Sequence, residues 1–128
     1  MKVIIVGCAG GVTSSLLCKH IEKAGEKRNI VIKYEYLSEE GSLRMIEEVK
    51  SQGVNIFLIY CGASQINKYV IERIGDHVNG IYIAPQVRYL VPKLNKELAN
   101  RSITCKSIDM RVFGLMDGDK MLDDILMF

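Results

Sequence analysis

Apolar residues along the chain fall into two alternating kinds of segment: short unbroken runs, and longer stretches in which they recur every three or four positions. Val3-Ile4-Ile5-Val6 is the first unbroken run, β-branched throughout, and reads as a strand covered on both faces. A helix is predicted from Val12 or Thr13, with Leu16, Leu17, Ile21 and Ala24 inward and Gly25 near its end. A second strand fits Ile30 to Leu37, and Leu43, Ile46 and Val49 then mark a short helix closed by Gly53. Val54 to Tyr60 reads as another buried strand, followed by a helix carrying Ile66, Val70, Ile71 and Ile74. A strand at Gly80 to Ala84 leads to a helix with Leu90, Val91, Leu94 and Leu98 inward. Pro92 suits only a first turn, so this helix starts late or kinks. Ile103 to Ile108 is the last predicted strand, and Met121, Leu122, Ile125 and Leu126 line a final helix.

Five βα units in succession predict an α/β fold, a doubly wound parallel sheet of about five strands with helices on both faces. The 128 residues suit one domain, with no linker, low-complexity tract or repeat. A net charge of +2, spread along the chain, argues against a nucleic-acid binder. No apolar run approaches the about 20 residues needed to cross a membrane, and the segment from Met1 to Val6 has no secretory h-region. A cytoplasmic protein with no membrane insertion of its own is expected. The four cysteines (Cys8, Cys18, Cys61 and Cys105) form no C-x-x-C pair, which speaks against both zinc and a disulfide framework.

Ligands of doubly wound folds gather at the carboxyl ends of the strands. The loop after the first strand reads Gly7-Cys8-Ala9-Gly10-Gly11-Val12-Thr13-Ser14-Ser15-Leu16-Leu17. Its small residues let the backbone curl and an anion approach closely. Successive N–H groups and the positive end of the next helix would hold that anion, with the Thr13, Ser14 and Ser15 hydroxyls as further donors. Cys8 lies in the same field, which favours thiolate, the reactive form. One loop thus offers a nucleophile at Cys8 and a phosphate cradle at Ala9, Gly10, Gly11, Val12, Thr13, Ser14 and Ser15. Phosphoryl transfer asks a protein mainly for positioning and charge stabilisation. The bland alternative is a small buried residue at a strand end, followed by a tight glycine turn.

Neighbouring motifs fit less well. Ala9 and Val12 stand where a G-x-G-x-x-G dinucleotide fingerprint wants its later glycines, and no Gly-Lys pair precedes Thr13 as in a nucleotide-triphosphate loop. A response regulator would need an acidic cluster at the strand ends. Cys-x5-Arg phosphatases share the layout and the cysteine, but they need Arg six residues later, where this chain has Ser14.

The Cys8-to-Leu17 loop resembles that of the enzyme IIB components of the bacterial sugar phosphotransferase system, in the lactose/cellobiose (chitobiose) branch. Those have a strand ending in Cys, two small residues, Gly, an apolar residue and a Ser/Thr run into Leu-Leu. Ala84-Pro85-Gln86-Val87-Arg88-Tyr89-Leu90 is similar to the family's Gly-Pro-Gln and following Tyr, with Ala84 replacing Gly. Ile108-Asp109, Phe113-Gly114 and Asp117-Gly118 parallel the end of its last strand and the Asp-Gly turn. The resemblance implies a phosphate relay without a cofactor or metal. A phosphorylated IIA protein would donate from phosphohistidine to Cys8. The membrane-embedded IIC transporter would then present the sugar that receives the phosphate, often a β-linked disaccharide such as cellobiose or chitobiose. A Cys-dependent phosphatase and a regulatory domain that only senses phosphorylation are the alternatives.

The family's usual four-strand sheet has little between its second strand and the Pro-Gln strand, whereas this chain carries one extra βα unit at about 53–79. Keeping the Pro-Gln strand beside the first strand predicts the order 3-2-1-4-5, with the flavodoxin-like 2-1-3-4-5 as rival. Pro85, Gln86 and Tyr89 would then adjoin the Cys8 loop. Asp109 and Asp117 read as turn and helix-cap residues. Cys18 and Cys61 read as small buried residues, although Cys61 ends its strand at the same edge as Cys8.

Overall fold

A computed structural model describes all 128 residues. Five strands form one parallel sheet: β1 (Lys2–Cys8), β2 (Ile32–Tyr36), β3 (Ile56–Gly62), β4 (Gly80–Ile83) and β5 (Thr104–Ser107). Six helices connect or follow them: α1 (Val12–Lys27), α2 (Ser42–Lys50), α3 (Lys68–Ile74), α4 (Val91–Glu97), α5 (Met110–Gly114) and α6 (Gly118–Leu126). The α/β architecture with helices on both faces is the predicted one. α1, α5 and α6 cover one face, over Ile4, Val6, Leu58 and Tyr82. α2, α3 and α4 cover the other, over Val3, Ile5, Phe57, Ile59 and Ile81. No helix is long and apolar enough to cross a membrane.

The strand order is β2-β3-β1-β4-β5, which corrects the expected 3-2-1-4-5. β3 pairs with β1 along its whole length, from Lys2 opposite Ile56 to Cys8 opposite Gly62. The rival 2-1-3-4-5 fails as well, because β4 pairs directly with β1 on its other side. The physical reason lies in β2, whose residues Lys33, Glu35 and Tyr36 are exposed. A central strand covered on both faces would have to bury that lysine and glutamate, at several kcal/mol per ion. At the edge both stay in water. β3, buried from Ile56 to Ile59, takes the inner place instead.

Other details follow local chemistry. α1 starts at Val12 as predicted, but Leu16 is exposed, and the inner face runs through Ser14, Leu17, Cys18, Ile21 and Ala24. Pro92 occupies the first turn of α4, after a 3-10 segment at Pro85–Leu90, so the late start is realised. α5 was not anticipated: Asp109 caps it by accepting from the Arg111 and Val112 N–H groups at 2.9 and 3.0 Å. Asp117 caps α6 through the Lys120 N–H at 3.0 Å. Leu126, expected inward on α6, is exposed. α6 lies so close to α1 that a Cβ on Gly118 would collide with the His20 carbonyl.

Candidate functional site

β1 ends in the centre of the sheet, with β3 on one side and β4 on the other. The chain leaves it through Ala9 and Gly10, which are exposed, and turns into α1 at Gly11. Gly11 holds φ at 87°, in the left-handed region where a side chain is strained, and a Cβ there would stand 3.3 Å from the Gly62 amide nitrogen. That turn folds the loop back over Cys8. The Cys8 side chain points to the α1 face and the residue is 3% exposed.

The sulfur sits where a helix cap belongs. Gly11, the residue at the N-cap of α1, has no side chain to accept from the first turn. Cys8 Sγ does so in its place, accepting from the Gly11 N–H at 3.0 Å and the Ser14 N–H at 3.4 Å. Donors aimed at a sulfur from a helix N-terminus stabilise it when it carries negative charge. Around it, the N–H groups of Ala9, Gly10, Val12 and Thr13 have no acceptor within the chain. Of the six consecutive amides from Ala9 to Ser14, two donate to the sulfur and four have no acceptor within the chain, the kind of loop that can hold an anion. No acidic residue lies in the first turn of α1 to oppose an incoming anion.

The three hydroxyls of the loop differ in placement. Thr13 is exposed and makes no side-chain hydrogen bond, so its hydroxyl is available to a ligand. Ser15 Oγ donates back to the Val12 carbonyl at 2.6 Å. Ser14 is fully buried and turned to the sulfur rather than outward. Its Oγ accepts from the Cys8 thiol at 3.3 Å and lies 2.9 Å from the Gly11 carbonyl and 3.3 Å from that of Cys61.

On the β4 side, the Ala84 N–H donates to the Gly7 carbonyl at 2.8 Å, which brings Pro85 beside the loop. Pro85 is buried, whereas Gln86 is exposed and Tyr89 is 72% exposed, and neither hydrogen-bonds to the loop. Tyr89 instead walls a cavity of about 420 Å³ on the α3–α4 face, with Ala63, Ile66, Leu90 and Leu94. No residue of the Cys8 loop lines that cavity.

On the β3 side the structure adds residues that motif reading did not single out. Gln65 Oε1 accepts from the Gly62 N–H at 2.7 Å, and its Nε2 donates to the Tyr36 hydroxyl at 2.8 Å. The Tyr36 ring reaches within 3.8 Å of the Cβ position of Gly11. Tyr36 and Gln65 become neighbours of the loop only because β3 is inserted next to β1. A sequence signal for Gln65 would have required the strand order first.

All four cysteines are free and buried. Burial pushes the Cys61 and Cys105 thiols up to about 12, with nearby Cys8 adding to the effect at Cys61. Burial also raises Cys18, with smaller contributions from Cys61 and Cys8. None of these three has the amide donors that surround Cys8.

No family model matches this chain, and no curated protein matches it either.

Proposed function

We propose that the protein is a cytoplasmic phosphocarrier, a phosphotransferase subunit in which Cys8 takes up a phosphoryl group and hands it on. The observation that carries this reading is the loop of amide donors at the Cys8 sulfur, two bonded to it and four more from the same loop without an acceptor in the chain. A dianionic phosphoryl group on Sγ would find those four N–H groups and the Thr13 hydroxyl within the same loop. The resemblance of the loop to enzyme IIB components of the lactose/cellobiose branch supplies the partners. A phosphohistidine on a IIA protein is the donor, and a sugar held by the membrane transporter IIC is the acceptor, a β-linked disaccharide such as cellobiose or chitobiose. The pairing of β4 with β1 keeps Pro85 beside the loop, as that resemblance needs.

In the first step the Cys8 thiolate attacks phosphorus. An S–P bond forms, the P–N bond of the donor breaks, and its electron pair stays on the imidazole nitrogen. In the second step a sugar hydroxyl oxygen attacks the same phosphorus. The S–P bond breaks, its electron pair returns to sulfur, and the hydroxyl proton leaves to a base of the acceptor complex. Both steps spread negative charge over the equatorial oxygens, which the loop amides without an acceptor in the chain would stabilise.

A Cys-dependent phosphatase is disfavoured by Ser14, which stands at the arginine position and is buried against the sulfur. The deciding experiment is intact mass after incubation with phosphoenolpyruvate, the general phosphotransferase proteins and candidate IIA proteins. One added phosphate, lost in Cys8→Ser, is the expected result. No phosphate uptake with any donor overturns the reading.

A further inference from the structure

Ser14 is sealed from solvent, yet its hydroxyl has one hydrogen and three neighbours: Cys8 Sγ at 3.3 Å, the Gly11 carbonyl at 2.9 Å and the Cys61 carbonyl at 3.3 Å. With the sulfur as a thiol, the S–H donates to Ser14 Oγ and the Ser14 hydrogen goes to a carbonyl. A thiolate has no hydrogen to give and wants donors. Rotation about the Ser14 Cβ–Oγ bond meets that demand without moving a heavy atom.

We infer that Ser14 is a positioning residue that follows the charge on the Cys8 sulfur, swinging its hydroxyl hydrogen from the Gly11 carbonyl to Sγ whenever the sulfur is anionic. As a thiolate, the sulfur then accepts three hydrogen bonds, from the Gly11 and Ser14 N–H groups and the Ser14 hydroxyl. When the S–P bond forms, the sulfur becomes a poor acceptor and the hydroxyl returns to the carbonyl. When that bond breaks, charge reappears on sulfur and the hydroxyl swings back, so the same group supports the nucleophile and the leaving group. These transfer steps rest on the phosphocarrier reading. The hydroxyl's effect on the free thiolate does not.

The position explains why a serine is present. An arginine at this buried position would carry a fixed charge, and an alanine would leave the Gly11 and Cys61 carbonyls in place but remove the movable donor. The bond to the Gly11 carbonyl is the i−3 back-bond that Ser15 also makes to Val12; only Ser14 adds the sulfur and the Cys61 carbonyl.

Iodoacetamide labelling of Cys8, followed by peptide mass spectrometry at pH 7 and pH 9.5, tests the inference. Ser14→Ala and Ser14→Gly both remove the hydroxyl and keep the backbone N–H, so one serves where the other impairs folding. A hydrogen bond to a charged partner is worth enough for about a tenfold loss of labelling rate at pH 7. At pH 9.5 the slowing should be smaller, the variant coming to within about twofold of the parent. Parental labelling at pH 7 overturns the inference, because the hydroxyl then does nothing for the sulfur. Equal slowing at both pH values also overturns it, since that is the signature of altered loop shape. Labelling needs no partner, so failure of every phosphate donor would defeat the phosphocarrier reading and leave this result standing.

Discussion

Gly7 and Cys61 are paired across the parallel strands β1 and β3, so their Cβ positions share one face of the sheet, and Cys8 points to the opposite one. Two cysteines therefore end adjacent strands at the same edge in different environments. Cys61 is packed among Ile59, Ala63 and Ile66 in the core on the α2–α4 side. Cys8 lies under a helix N-terminus that donates two N–H groups to it.

Selective labelling follows. At pH 7–8 Cys61 and Cys105, raised to about 12 by burial, stay thiols, as does Cys18. Iodoacetamide should therefore modify Cys8 first under native conditions, and excess inorganic phosphate should slow the reaction by occupying the loop amides. Native-state labelling of Cys18 or Cys105 ahead of Cys8, read by peptide mass spectrometry, would contradict the site.

Phosphorylated Cys8 should be long-lived. The loop offers neither an arginine at position 14 nor a first-turn carboxylate to activate water. Loss of phosphate in buffer should take minutes or longer and accelerate only with an acceptor. A half-life of seconds without one, or brisk aryl phosphate turnover abolished by Cys8→Ser, would return the phosphatase to first place.

The adjacent glycines of the loop should respond in opposite ways. Gly10 has open space around it and no positive φ, so Gly10→Ala should shift stability by no more than about 0.5 kcal/mol. Gly11→Ala forces a side chain into φ 87° and against the Gly62 amide, at a cost of about 1–2 kcal/mol. It should also tilt the two N–H groups off the sulfur and slow Cys8 labelling. Urea unfolding and labelling rates on the two variants, compared side by side, check both halves.

Alkaline pH should destabilise the fold well before general base denaturation. Cys61, Cys105 and Tyr82 are held up to about 12 chiefly by burial, against ordinary values of 9.0 for Cys and 10.0 for Tyr. Between those limits the unfolded chain loses protons that the folded chain keeps, so stability is complete below about pH 9 and falls up to about pH 12. Thermal unfolding from pH 7 to 11 should show the decline. It should be shallower in Cys61→Ala and Cys105→Ala, measured against each variant's own value at pH 7; an unchanged slope in both would assign the decline elsewhere.

The α/β class, the near-boundaries of every strand, and the Cys8 loop were legible in the chain because they rest on local features. Unbroken β-branched runs such as Val3 to Val6 specify buried parallel strands, and Gly10-Gly11 before a helical pattern specifies a tight turn into α1. Helix α5 escaped because five residues hold too little periodicity, although Asp109 announced its cap. Strand order was decided by competition for the buried centre. β2 carries Lys33 and Glu35, and it yielded the place beside β1 to β3, which carries no charge. The clue was in the sequence, but it acts only when five strands are weighed against one another. Which face each loop hydroxyl takes was likewise tertiary. Thr13, Ser14 and Ser15 each offer a hydroxyl, and the 100° step of a helix turned Ser14 alone inward to the sulfur and the Cys61 carbonyl. The sequence by itself determined that a cysteine would stand at a strand end before a turn of small residues into a helix. Only the assembled sheet decided what surrounds it, because β3 pairs with Cys8 and β4 with Gly7 beside it, from parts of the chain more than 45 residues away.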